Sequence, residues 1–153
     1  MVLFAGLFIF GCGRSASSLP VESVELGATG LDVRITSQGK GSYLYGMSNP
    51  SQKRTTFDIG STGFKRLISS VAPFRIHAGP IKQTVERFYN NACSEGVPFV
   101  TDQGLISVRW TGKGFDQIYI ADLGCDYDRN AARNKKLFAI LNSLPVPKPM
   151  PWP

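Results

Sequence analysis

Two stretches of the chain echo one another closely enough to limit its architecture. Val33-Arg34-Ile35-Thr36 runs into Gly39-Lys40-Gly41, and Val108-Arg109-Trp110-Thr111 runs into Gly112-Lys113-Gly114. In the first, Leu31, Val33 and Ile35 alternate with Asp32, Arg34 and Thr36, the two-residue period of a half-buried strand. Gln38 to Gly41 is a turn, Ser42 to Tyr45 a returning strand, and Thr55 to Ile59 a third. Met47 to Lys53, with Asn49-Pro50, is a loop. Leu105 to Trp110 and Phe115 to Ala121 form the second hairpin, joined through Thr111 to Gly114, and Val97 to Val100 adds a short strand. A helical stretch follows each hairpin, which invites a duplicated strand–strand–helix unit. Val, Ile, Thr and Gly are what any hairpin requires, so convergence is the simpler account, and halves that do not superpose would dispose of the repeat.

The helices declare themselves by a different period. Phe64, Leu67, Ile68 and Val71 fall at i, i+3, i+4 and i+7, with Ser61 or Thr62 placed to cap and Pro73 to stop the helix. Pro80 suits the first position of a second helix whose apolar residues are Ile81, Val85, Phe88 and Ala92. Asp126 and Asp128 favour the amino end of a third, striped by Leu137, Ile140, Leu141 and Leu144. At 153 residues there is room for one ordinary domain. The expected fold is α+β, a mostly antiparallel sheet of two hairpins packed with about three helices.

The amino end reads as an address. Residues 2 to 10, VLFAGLFIF, are apolar and uncharged. A membrane span needs about 20 such residues, whereas a signal-peptide core needs about this many. Ile9-Phe10-Gly11-Cys12 resembles the lipobox of bacterial lipoproteins, an apolar residue and small residues before a cysteine. That resemblance covers residues 1–12 only. It implies that 1–11 is a signal peptide, that Cys12 becomes the acylated amino terminus, and that 12–20 is a lipid-attached spacer. The patterned stretch 21–144 is the single folded domain, which the resemblance would hold in the bacterial envelope. Gly13 after the cysteine points to the outer membrane, facing the periplasm, by analogy with enterobacterial sorting. An ordinary secretory signal cut within Ser15 to Ser18 and a buried amino-terminal helix in a cytosolic protein are the alternatives.

Export leaves Cys93 and Cys125 as an even pair in an oxidising compartment, so a disulfide between them is expected. It would close a loop of about 33 residues and contribute about 3 to 4 kcal/mol in the chain-entropy model. Two free buried thiols are the competing reading.

Familiar chemistry is sparse. His77, the only histidine, has no motif around it and reads as a loop or core residue. The phosphate-loop pattern fails at both Gly-Lys-Gly turns. Arg34 and Ser107 stand where its first glycine belongs, and Gly41 and Gly114 where Ser or Thr belongs. Asp126-Tyr127-Asp128-Arg129-Asn130 opens like a calcium loop but has Ala131 and Leu137 at the required glycine and glutamate. Helix capping by Asp128, with Asp126 favouring the dipole, explains the same residues. No cofactor or metal site is expected. Pro145 to Pro153 has proline at every second position, a polyproline segment. It is either an arm docking on a partner through Trp152 or a tail that lies on its own domain or extends into solvent.

The 17 Lys and Arg against 11 Asp and Glu give a net charge of +6, which suits anionic partners such as phospholipid headgroups. A dedicated nucleic-acid surface is not expected. The leading function is a non-enzymatic envelope lipoprotein held at the membrane by Cys12. Lys53, Arg54, Lys65, Arg66, Lys135 and Lys136 would meet anionic headgroups or an envelope protein partner. The alternatives are an exported glycan-hydrolase-like or lectin-like enzyme using Asp102, Asp116 or Asp122, and a small secreted inhibitor.

Overall fold

The computed structural model describes residues 19–46, 52–91 and 93–150, so Cys12, Ala92 and Trp152 lie outside the described residues. Along the chain come β1 (Ser23–Ala28), β2 (Leu31–Thr36), β3 (Lys40–Tyr45), β4 (Thr55–Asp58) and α1 (Gly60–Arg75). They are followed by β5 (Gly79–Pro80), α2 (Ile81–Asn91), β6 (Leu105–Gly112), β7 (Phe115–Asp122) and α3 (Tyr127–Asn142). The strands make one antiparallel sheet in the order β4-β3-β2-β1-β6-β7-β5. The fold is α+β, with the disulfide Cys93–Cys125 joining the end of α2 to the start of α3 across a Cα–Cα distance of 5.4 Å.

β1 is the hinge of the sheet, and the echoed words flank it in matching register. Val24 faces Ile35 on one side and Trp110 on the other; Glu25 faces Arg34 and Arg109; Leu26 faces Val33 and Val108. Directly paired residues share a face, so all these Val, Leu, Ile and Trp side chains enter one core and both arginines leave it. β2 and β6 therefore run in the same direction, bury the same face, and send their hairpin partners β3 and β7 away to opposite sides. A rotation that matches strand direction and outward order turns the core face out, so the two hairpins are mirror-related and cannot superpose. Each word meets the same demand from β1, apolar residues inward and an arginine outward.

Val24, Val33, Ile35, Val108 and Trp110 are fully buried, and α1 and α3 close over them. Phe64, Leu67, Val71 and Phe74 enter from α1, and Leu137, Ile140 and Leu141 from α3. Arg66 and Leu67 share a cleft with Ser143 and Leu144, while the Lys136 amine lies 5.9 Å from the Phe74 ring centre, so the two helices run antiparallel. The smaller α2 packs against β7 and β5 at the far edge, where Ile118 is buried.

Several local expectations are corrected. Ser61 and Thr62 are exposed and do not cap α1; the Asp58 carboxylate instead accepts the Gly60 N–H at 2.8 Å. Pro73 lies inside the last turn of α1, which continues to Arg75. Val97 to Val100 forms no strand; Pro98 has no N–H to give a ladder, and a single bridge joins Phe99 to Cys125. Asp128 is an exposed residue of the first turn of α3, not its cap. The N-cap is Asp126, in the left-handed region at φ 44° and making no side-chain cap bond.

Candidate functional site: a basic helical layer

The charge of the molecule is sorted by layer. α1 carries Lys65, Arg66 and Arg75 with no acid, and α3 carries Arg129, Arg133, Lys135 and Lys136 against Asp128 alone. These two helices, on one face of the sheet, thus account for the whole net charge of +6. An amphipathic helix that buries its apolar stripe must aim its charges at solvent, and here both stripes meet the same core. Lys65, Arg66, Lys135 and Lys136 are exposed and have no ion-pair partner among the described residues. The antiparallel packing spreads them along the layer, with Arg66 beside the end of α3 and Lys136 beside the end of α1. Between the helices lies a cleft of about 330 Å³, whose walls include Ile59, Leu67 and Leu144 with Arg66, Ser70 and Ser143.

Two more of the basic residues singled out in the sequence fall elsewhere. Lys53 is exposed just ahead of β4. Arg54 is committed, its guanidinium 2.5 Å from the Asp32 carboxylate and donating to the Ser42 hydroxyl at 2.9 Å. It begins a chain of alternating charges on the sheet face away from the helices. Asp32 is 3.6 Å from Arg34, Arg34 is 3.6 Å from Glu25, Glu25 is 3.1 Å from Arg109, and Arg109 is 2.7 Å from Asp116. Arg109 grips both oxygens of Asp116, at 2.8 and 2.7 Å. These hydrogen bonds hold the Asp116 carboxyl below its usual range and raise the Arg109 guanidinium. The signal was in the sequence, since these residues occupy the outward positions of alternating strands, but their mutual contact depends on the position of β1.

The three aspartates of the enzymatic alternative separate. Asp116, clamped by Arg109, is a poor proton donor near neutral pH. Asp102 and Asp122 share the wall of a groove of about 350 Å³ with Phe88, Phe99 and Leu105. Asp122 already accepts the Gly124 and Cys125 N–H groups, at 2.8 and 3.0 Å. His77 is exposed, its ring 6.4 Å from that of Tyr119. Both Gly-Lys-Gly segments are hairpin turns with Gly39 and Gly114 at positive φ, and Lys40 pairs with Asp58 at 2.6 Å. Asp126, Asp128 and Asn130 run directly into α3. Among the described residues no three His, Cys, Asp or Glu side chains gather as a metal site.

Both ends of the described chain are tied to the body. The Leu19 carbonyl accepts from the Arg75 guanidinium at 3.4 Å, at the end of α1. The tail as far as Met150 lies on its own domain, where the Met150 N–H donates to the Thr29 carbonyl at 3.0 Å. No helix among the described residues is long and apolar enough to cross a membrane. Comparison with protein-family models, curated proteins and solved structures finds no match to this chain.

Proposed function

We propose that this is an envelope lipoprotein domain that lies on an anionic membrane surface through α1 and α3, tethered by an acylated Cys12. The observation that carries the reading is the concentration of the entire net charge on that one layer. The place where the tether leaves the domain supports it. Leu19 is held at the end of α1, so an acylated Cys12 seven residues before it would lie within about 25 Å of that end. The disulfide is compatible with export to an oxidising compartment. Each basic side chain near an anionic leaflet is worth about 1 kcal/mol, screened within a Debye length. Sedimentation of the Cys12→Ser chain with vesicles containing phosphatidylglycerol tests the charge reading. Binding should fall as salt rises and should be absent on phosphatidylcholine; binding insensitive to salt rejects it. Mass spectrometry of the lipoprotein from a bacterial host tests the anchor, which requires a diacyl or triacyl Cys12 as first residue.

A second reading, an Asp-based glycan enzyme, is favoured by the groove that Asp102 and Asp122 share with two phenylalanines. Release of reducing ends from cell-wall glycans, lost in both Asp102→Asn and Asp122→Asn, is the outcome it requires.

A further inference from the structure

We infer that the ridge formed by residues 99 to 105 is a docking surface for a peptide segment of a protein partner, one with a lysine or arginine set between apolar side chains. Eight large apolar side chains are exposed among the described residues, and four of them, Phe99, Val100, Leu105 and Phe138, line two adjoining hollows. The hollows measure about 450 and 350 Å³ and share Asp102, Gln103 and Leu105, so the ridge stands between them. Apolar exposure gathered in one place marks an interaction surface in a way that scattered exposure does not.

The exposure is built into the backbone. The Val100 N–H donates to the Gly124 carbonyl at 3.0 Å, Leu123 N–H to the Gly104 carbonyl at 3.1 Å, and Asp126 N–H to the Pro98 carbonyl at 2.8 Å. A side chain at position 124 would collide with the Val100 carbonyl, so the glycine there permits this close docking. The Cys93–Cys125 bridge fastens the same corner. Held by these bonds, Phe99 remains 54% exposed. Fixing the surface during folding removes an ordering cost from binding.

Asp102 sets the chemistry of the partner. It is exposed, has a left-handed φ of 62°, and forms no ion pair among the described residues. Its neighbour Asp122 is occupied by two backbone N–H groups, so Asp102 offers the unengaged carboxylate beside both hollows. Apolar side chains fit the hollows, and a cation between them would meet this carboxylate where its surroundings exclude part of the water. The inference uses residues other than the membrane-facing lysines and arginines, and it stands or falls separately from them.

The test is selection of a random peptide display library on the purified oxidised chain, followed by anisotropy titration of the enriched peptides. Enriched sequences should place Lys or Arg between apolar residues. Affinity should fall about tenfold in Asp102→Lys and in Phe99→Ser, and Glu22→Lys should change nothing. Replacing the peptide's basic residue by glutamate should restore binding to Asp102→Lys. Asp102→Asn, which retains the left-handed preference, keeps the test valid if the lysine variant does not fold. Several results overturn the proposal: no enrichment, enrichment without a basic residue, or binding indifferent to these substitutions. So does a concentration-dependent dimer abolished by Asp102→Lys, which assigns the surface to a second copy of the chain, or a glycan that displaces the peptides.

Discussion

The two faces of the sheet handle charge in opposite ways. On one, Lys65, Arg66, Lys135 and Lys136 of α1 and α3 have no ion-pair partner among the described residues; on the other, Arg54, Asp32, Arg34, Glu25, Arg109 and Asp116 alternate in sign and neutralise one another. The two helices hold a single acid, whereas the strands set an acid beside each arginine. Cross-strand pairing puts opposite charges within reach and satisfies them locally, whereas a helix that buries one stripe leaves its other side for a partner. On the proposed reading the exposed lysines and Arg66 of the first face serve recognition, while Arg75 and Arg133 beside them hold backbone carbonyls and, like the arginines of the second face, belong to the fold.

That contrast can be broken at several points. The largest effect is expected when Lys65, Arg66, Lys135 and Lys136 are all changed to Gln. Vesicle affinity should fall by about 4 kcal/mol, near a thousandfold, with the melting temperature nearly unchanged. If affinity holds while stability falls, the two faces have been assigned the wrong roles. Removing the disulfide with Cys93→Ser and Cys125→Ser should cost about 2 to 4 kcal/mol in denaturant unfolding. Peptide affinity at the 99–105 ridge should weaken with it, while the vesicle affinity of the folded chain is retained. Next comes Arg109→Met, which strips Glu25 and Asp116 of a shared partner on a half-exposed surface. About 1 kcal/mol of stability should be lost, with no change in vesicle binding. The acid limb of stability should follow. The Asp116 carboxyl is depressed in the fold, so its contribution is complete above about pH 4 and fades as pH drops through the lower folded value. Arg109→Met should flatten that limb in pH-dependent thermal melts. The smallest change belongs to Asp128→Ala, at most about 0.5 kcal/mol, because Asp128 meets only the dipole of α3.

Local periodicity announced much of this molecule and concealed its centre. β2, β6 and β7 are visible because large apolar residues alternate with polar ones over a full strand length. β1 passes unnoticed, since SVELGA offers only Val24 and Leu26 among small or charged residues. Its importance comes from flanking both hairpins, with Ser23 bonded to a threonine 88 residues away. The basic residues of α1 and α3 could be picked out in the sequence, but not that both helices cover one face. The pattern points to Asp128 as the cap of α3, whereas Asp126 takes that place with a left-handed backbone that a linear pattern does not reveal, and the groove uniting Asp102 and Asp122 depends on the closure of β6 against β7.

The mirrored arms about β1 have a consequence for how the molecule assembles. A chain emerging amino end first can zip β1 to β4 by short-range steps, but one flank of β1 keeps its N–H and C=O groups unpaired until β6 arrives. Throughout that interval the nascent half offers a sticky margin to its neighbours. Aggregation during synthesis should therefore be set by the delay before residue 112 appears, more than by the finished protein's stability.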